Sequence, residues 1–200
     1  MAEYYYDIEV GYTDPEIIRR LRTGGETWGK ASFDPLACKI ITIQYQALDR
    51  SGRGIGPLKI LKEWECSEEL IIKEFSKILN PKRVWDFIPV GYNIYFDLGM
   101  FRRRAEVYGI YYDEWFIYHN LPCIDIKQIC LAMNNFQFKG CGLDKFTGKE
   151  HSGAIVPVWY HDHEYEKIIN YVEKEAREFI LFYQKLKQKM PEFRRWIKNR

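Results

Sequence analysis

Five cysteines and four histidines are all the thiol and imidazole metal ligands that the 200 residues offer. The cysteines (Cys38, Cys66, Cys123, Cys130, Cys141) are odd in number and contain no Cys-x-x-Cys pair. That spacing argues against a structural zinc site and a complete disulfide framework, and the five read as reduced thiols of the core. No stretch approaches the ~18 uninterrupted apolar residues of a membrane helix. The N-terminus MAEYYYDIEV lacks the basic-then-apolar layout of a signal peptide, so no membrane partner is expected and the expected location is cytoplasmic. An excess of one charge is missing too. Lys+Arg 30 against Asp+Glu 28 gives +2, too little to steer the chain toward polyanions, so recognition must come from local placement. There is no internal repeat and no low-complexity segment.

What is present is a core. Apolar residues at 46%, aromatics at 16% and charged residues at 29% describe a globular chain that buries roughly 70% of its unfolded surface, and residues 1–200 read as a single domain. Tyr4, Tyr6, Ile8 and Val10 alternate with Tyr5, Asp7 and Glu9, the period-2 signature of a strand. Thr23 to Pro35 reads as a long loop and Lys39 to Leu48 as a second strand. Ser51 to Pro57 is turn chemistry, and Leu58, Ile60 and Trp64 suggest a third strand closing a meander. Ser67 caps a helix through LIIKEFSKIL that stops before Pro81. Phe87 to Tyr92 is a short strand in which Pro89 requires a bulge or an unpaired side. A helix begins near Asp97, Ile124 to Ile126 form a further strand, Asn134 to Gly153 a loop, and Ile168 to Leu186 a long C-terminal helix. A meander followed by strands alternating with helices is an α/β architecture with a mixed sheet.

Three clusters carry chemistry. Asp7 and Glu9 share one strand face with no positive residue nearby in sequence; burying them unpaired would be expensive, which points to a bound cation, unless the strand is an edge whose polar face meets water. Asn93, Phe96 and Asp97 lie where a strand hands over to a helix, the end at which α/β sheets bind ligands, although Asp97 also suits a helix N-cap. Tyr171 and Glu175 stand four residues apart on one helical face, where a phenol and a carboxylate can converge; a solvated helix face explains them as well.

In order, Asp7-Ile8-Glu9, Asn93-x-x-Phe96-Asp97 and Tyr171-x-x-x-Glu175 resemble the three motifs of the DEDD superfamily of 3′→5′ exonucleases. Tyr171 is similar to the mark of its tyrosine-bearing branch, and the nearest likeness is to exonucleases related to the proofreading domain of family B DNA polymerases. The resemblance implies a ribonuclease H-like fold, a five-stranded mixed sheet flanked by helices. It further implies metal-dependent removal of nucleotides from the ends of single-stranded nucleic acid, DNA ahead of RNA, with a polymerase or helicase as a conceivable partner. Two divalent ions, Mg²⁺ or Mn²⁺, would be held by Asp7, Glu9, Asp97 and Glu175, with Asp7 bridging both. Tyr171 would orient the attacking water, and Asn93 and Phe96 would meet the terminal nucleotide. The departure is Glu175, where the family carries aspartate and where one further C–C bond adds about 1.5 Å of reach. The alternative is therefore a catalytically weakened or inactive nucleic-acid-binding protein on the same fold. A junction resolvase would explain Asp7 and Glu9 but not Asn93, Phe96 or Tyr171.

Other features are less specific. Arg102, Arg103 and Arg104 read as solvated, since three adjacent charges cannot share one helix face. Lys139, Lys145 and Lys149 fall in the loop beside the expected groove. Phe193 to Arg200 interleaves aromatics with bases, and His161 and His163 read as surface residues.

Overall fold

The computed structural model describes residues 2–23, 36–112, 121–147 and 153–198, with 81 and 190–198 as backbone alone. Strand β1 is Glu3–Tyr12, helix α1 Pro15–Arg22, strand β2 Cys38–Leu48 and strand β3 Gly54–Lys62. They are followed by helix α2 (Glu68–Ile78), strand β4 (Ile88–Gly91), helix α3 (Ile94–Val107), strand β5 (Ile124–Asp125) and helices α4 (Ile126–Met133), α5 (Val156–His161) and α6 (Tyr165–Lys198). The sheet order is β3-β2-β1-β4-β5. β1 runs antiparallel to β2 and parallel to β4, which makes the expected five-stranded mixed sheet flanked by helices.

β1 is central, and its alternation sorts residues to two covered faces. Tyr6, Ile8 and Val10 join Ile18 of α1, Ile72 and Phe75 of α2, and Leu98 and Phe101 of α3 in one core cluster. Tyr6 stacks on Phe75 at 5.0 Å between ring centroids. On the other face Tyr5 packs with Cys130 and Leu131 of α4 and with Phe179 and Tyr183 of α6. Asp7 and Glu9 share this second face, so the edge-strand alternative fails: two carboxylates stand on the middle strand beneath a helix. The register with β2 shifts between Glu9, opposite Thr42, and Val10, opposite Ile40, which leaves Ile41 as the extra residue of a bulge in β2 just beyond them, a device common beside functional sites.

Several boundaries differ from expectation. Helix α1 was not legible as such, though Asp14 accepts from the Glu16 N–H at 2.8 Å and Pro15 occupies the first turn. Residues 24–35 of the expected loop lie outside the described residues. The turn ends sooner than Pro57. Asp49 Oδ1 closes it by accepting from Ser51 N and Arg53 N, and Gly56 and Pro57 sit in β3 at a register shift opposite Gln46, an edge position that tolerates proline. Trp64 leaves the ladder for a 3₁₀ turn and stacks on Tyr165. Ser67 caps α2 as expected, accepting from Leu70 N at 3.2 Å. Pro89 pairs with Tyr4 and lies outside the two-residue ladder to β5, so its missing N–H costs nothing there. Ile126 opens α4 rather than continuing a strand, because the Asp125 side chain caps Lys127 N at 3.0 Å.

Two corrections bear on charge. Helix α3 starts at Ile94, so Asp97 lies in its first turn and is not the N-cap; that position belongs to Asn93, in left-handed backbone without a side-chain cap bond. The arginine run is not a solvated row. Arg102 is 5% exposed and 3.4 Å from Glu106, and Arg104 forks onto buried Glu68, which also accepts from Ile40 N at 2.7 Å.

Candidate metal centre

The carboxylates of Asp7, Glu9 and Glu175 each bring one oxygen to within 4.8 Å of the others. Two elements produce this. Asp7 and Glu9 project from one face of β1 by the period of the strand, and α6 crosses that face so that Glu175 points down at them. Phe179, one turn on, packs its ring 5.3 Å from that of Tyr5 and fixes the height of the helix above the sheet. A cavity of about 130 Å³ opens there, lined by Tyr5, Asp7, Tyr92, Leu143, Glu175 and Phe179.

Asp7 is held by its neighbours. Its cross-strand partner on β2 is Gln44, whose Nε2 donates to Asp7 Oδ2 at 2.9 Å; the Tyr5 hydroxyl donates to the same oxygen at 3.3 Å. Gln44 Oε1 in turn accepts from Thr42 Oγ1 at 2.9 Å, and Thr42 and Gln44 are both fully buried. The chain Thr42 to Gln44 to Asp7 thus fixes one carboxylate oxygen, Oδ2. Sequence reasoning missed Gln44. The available signal was the alternation of Thr42, Gln44 and Gln46 in an otherwise apolar strand, since a buried amide needs a partner.

The acidic cluster raises the proton affinity of its surroundings. Burial pushes the Tyr171 phenol far up, and the negative charges of Glu9 and Glu175 add to it; burial and then Asp7 do the same for Tyr5. Both phenols are therefore neutral donors at any physiological pH. Tyr171 is 9% exposed, with its ring 6.1 Å from that of Trp159. At Gly153 a Cβ would stand 3.5 Å from Tyr171 Oη and 3.9 Å from Glu9 Oε2, so hydroxyl and carboxylate flank one small space.

Asp97 stands next to this trio rather than in it. Its Oδ1 lies 3.4 Å from Ile8 N, between the two acidic residues of β1. Burial raises its pKa, and the charge of Asp7 raises it further. Gly91 of β4 lies close against β1, where a Cβ would come within 2.8 Å of Tyr6 O. Asn93 sits at the same mouth; its N–H donates to Asp125 Oδ1 at 2.9 Å and its Oδ1 accepts from Lys127 Nζ at 3.1 Å. Asp125 was legible only as part of a strand; here it caps α4 and ties down Asn93. Phe96 is half-buried against the core cluster of α2 and α3. His161 and His163 are exposed and stand apart from the trio.

The donor set suits a hard cation. Carboxylate oxygens without imidazole or thiolate favour Mg²⁺, Mn²⁺ or Ca²⁺ over zinc or copper. Three like charges within 4.8 Å also repel one another, an arrangement that divalent charge relieves.

No protein-family model matches the chain and no curated protein matches it. Among solved structures, exonuclease I in complex with the inhibitor BCBP aligns with TM-score 0.58 at 12% identity, over 99% of this chain and 43% of that one. Product-bound exonuclease I gives 0.58 and 12%, over 99% and 46%. Escherichia coli exonuclease I in complex with a dT13 oligonucleotide gives 0.57 and 14%, over 98% and 43%. The fold is ribonuclease H-like, as in those structures, and the chain spans less than half of their length. Among the described residues no helix is long and apolar enough to cross a membrane.

Proposed function

We propose that this domain is a metal-dependent 3′→5′ exonuclease that hydrolyses phosphodiester bonds at the ends of single-stranded DNA. The observation that carries the reading is the convergence of Asp7, Glu9 and Glu175 from two elements onto one point under a buried tyrosine. Exonuclease I neighbours, one of them bound to dT13, support the strand as substrate.

Asp7, Glu9 and Glu175, with Asp97 alongside, would hold divalent ions, Mg²⁺ or Mn²⁺. When bound, such ions supply the positive charge that stabilises the oxygens of a phosphoryl displacement. The chain's own groups do the rest. Gln44 and Tyr5 keep Asp7 aimed into the cavity. The Tyr171 hydroxyl, held neutral, is a hydrogen-bond donor beside Glu9 and can fix the attacking water by its oxygen, as in the tyrosine-bearing branch. Asn93, the N-cap of α3, and Phe96 in its first turn would take the terminal nucleotide. Leu143 and Phe179 line the cavity beside Asp7 and Glu175. The longer Glu175 reaches the trio, which favours catalysis over the strand-binding alternative.

The test is release of label from 5′- and 3′-labelled oligonucleotides with Mg²⁺ and with Mn²⁺. Mononucleotides from the 3′ end, stopped by a blocked 3′ terminus and by chelator, are expected. Internal cuts as first products would transfer the reading to a resolvase, and tight strand binding without turnover to a binding module.

A further inference from the structure

After α4 the chain forms a knob whose shape costs stability. Asn135 and Phe136 both adopt left-handed backbone, at φ 50° and 58°, a conformation unfavourable for a bulky side chain and found mainly where function demands it. The knob is internally braced. Asn134 Nδ2 donates to Gln137 O at 2.7 Å and to Lys139 O at 3.1 Å, Phe136 N donates to Leu131 O at 2.7 Å, and Cys141 N to Phe138 O at 3.0 Å. That bracing turns two rings outward, leaving Phe136 70% and Phe138 71% exposed. Strained backbone that presents apolar rings to water adds nothing to the core.

The knob is connected to the acidic cavity from both ends. Lys127 Nζ lies 6.0 Å from the Phe138 ring centroid and donates to Asn93 Oδ1. At the far end the Tyr92 hydroxyl donates to Cys141 O, and Tyr92 and Leu143 line the cavity with Asp7 and Glu175. Exposed Lys139 follows Phe138 directly.

We propose that Phe136 and Phe138 form a stacking platform for the part of a DNA strand that lies 5′ of the terminal nucleotide, with Lys127 and Lys139 meeting its phosphates. This rests on the exonuclease reading above. Bases stack on aromatic faces with little regard to sequence, and flanking lysines match a phosphate backbone better than they match an apolar protein surface. The platform would make affinity depend on strand length, because a longer strand offers more bases to the two rings and more phosphates to the lysines.

Fluorescence anisotropy with labelled dT2, dT4 and dT8 tests this in CaCl₂, an oxygen-seeking cation of looser geometry than Mg²⁺. Wild-type affinity should climb with length, and Phe138→Ala should remove about tenfold of the gain between dT2 and dT8, the worth of one stacked base. Phe136→Gly should weaken dT8 similarly while raising Tm, because glycine relaxes the left-handed backbone. A fall in Tm together with affinity would assign the ring a structural role and overturn the platform. So would variants that bind dT8 as the wild type does, a result that would leave the rings to a protein partner. Wild-type protein that binds none of the three strands would overturn the exonuclease reading itself, a failure visible before any variant is made.

Discussion

Asp7→Asn should stabilise the metal-free protein while destroying its response to metal. Asp7 accepts from Gln44 Nε2 and from the Tyr5 hydroxyl on one oxygen, Oδ2. An asparagine can place its carbonyl there and keep both bonds. What is lost is charge. With oxygens up to 4.8 Å apart, each like-charge pair costs about 3.5 kcal/mol at an effective dielectric of ~20 and about 0.9 kcal/mol in water. All three acids are only half-buried, so removing the two pairs that involve Asp7 should return roughly 2 to 4 kcal/mol. At ~2 to 4 °C per kcal/mol for a domain near this size, Tm in chelator should rise by about 4 to 15 °C.

Thermal unfolding in EDTA and in excess MgCl₂ reads both effects. The wild type should gain stability with metal by mass action, whereas the variant should start higher and gain little. Nuclease turnover should fall by about a thousandfold or more, since one carboxylate oxygen of the acidic trio is replaced by an N–H donor. An Asp7→Asn variant less stable than wild type in EDTA would refute the repulsion argument. One that gains as much from Mg²⁺ as wild type would show that Asp7 is no ligand.

Gln44→Leu should cost ~1 to 3 kcal/mol, because it strips a buried hydroxyl of its acceptor and a carboxylate of its donor, and metal titration should show ~10- to 100-fold weaker affinity. Asp97→Asn should raise Tm in EDTA at neutral pH but not at pH 3. A carboxyl whose folded pKa lies above its unfolded one penalises the fold only as pH climbs past the unfolded value, so a Tm difference that stays constant from pH 3 to 8 would contradict the burial of its charge. Tyr171→Phe should lower kcat about 10- to 100-fold with strand affinity retained; because burial and the neighbouring acids hold this phenol neutral, an alkaline limb of the wild-type pH–rate profile that vanishes in the variant would count against it. Glu175→Asp should keep or raise Mg²⁺-supported activity and Glu175→Ala should lose most of it, and equal rates in all three proteins would remove Glu175 from the site.

The architecture was legible where one period governs a long element. The alternation in β1 assigned Asp7 and Glu9 to one face, and the 3.6 spacing from Ile168 to Leu186 announced α6 and put Tyr171 beside Glu175. Short elements escaped because their signals are local caps rather than periods. Asp14-Pro15 opens α1 and Asp125 opens α4, yet each is a single acidic residue that in sequence is equally a strand or loop member. Asp97 shows the converse: it looked like a cap, but its carboxylate turns to Ile8 N across 89 residues of chain, a tertiary contact without a local trace.

The arginine run and Gln44 expose a common reason for what sequence concealed. Burial of a polar group is decided by a partner on another element or another turn, so a row of charges reads as solvated until Glu68 and Glu106 are seen to receive Arg104 and Arg102. Gln44 is the sharper instance, since it is a neutral residue on an apolar strand whose value depends wholly on register. Shift β2 by one residue against β1 and its amide moves to the opposite face of the sheet, away from Asp7. The bulge opposite Glu9 and Val10 follows directly after the Asp7 to Gln44 and Glu9 to Thr42 pairs, so those pairs stay in step while Val10 and Tyr12 continue into the core cluster of α1 to α3. The extra residue lies on β2, where Ile41 packs with Val156, Ile168, Tyr171 and Val172 while Ile40, opposite Val10, joins the cluster of α1 to α3.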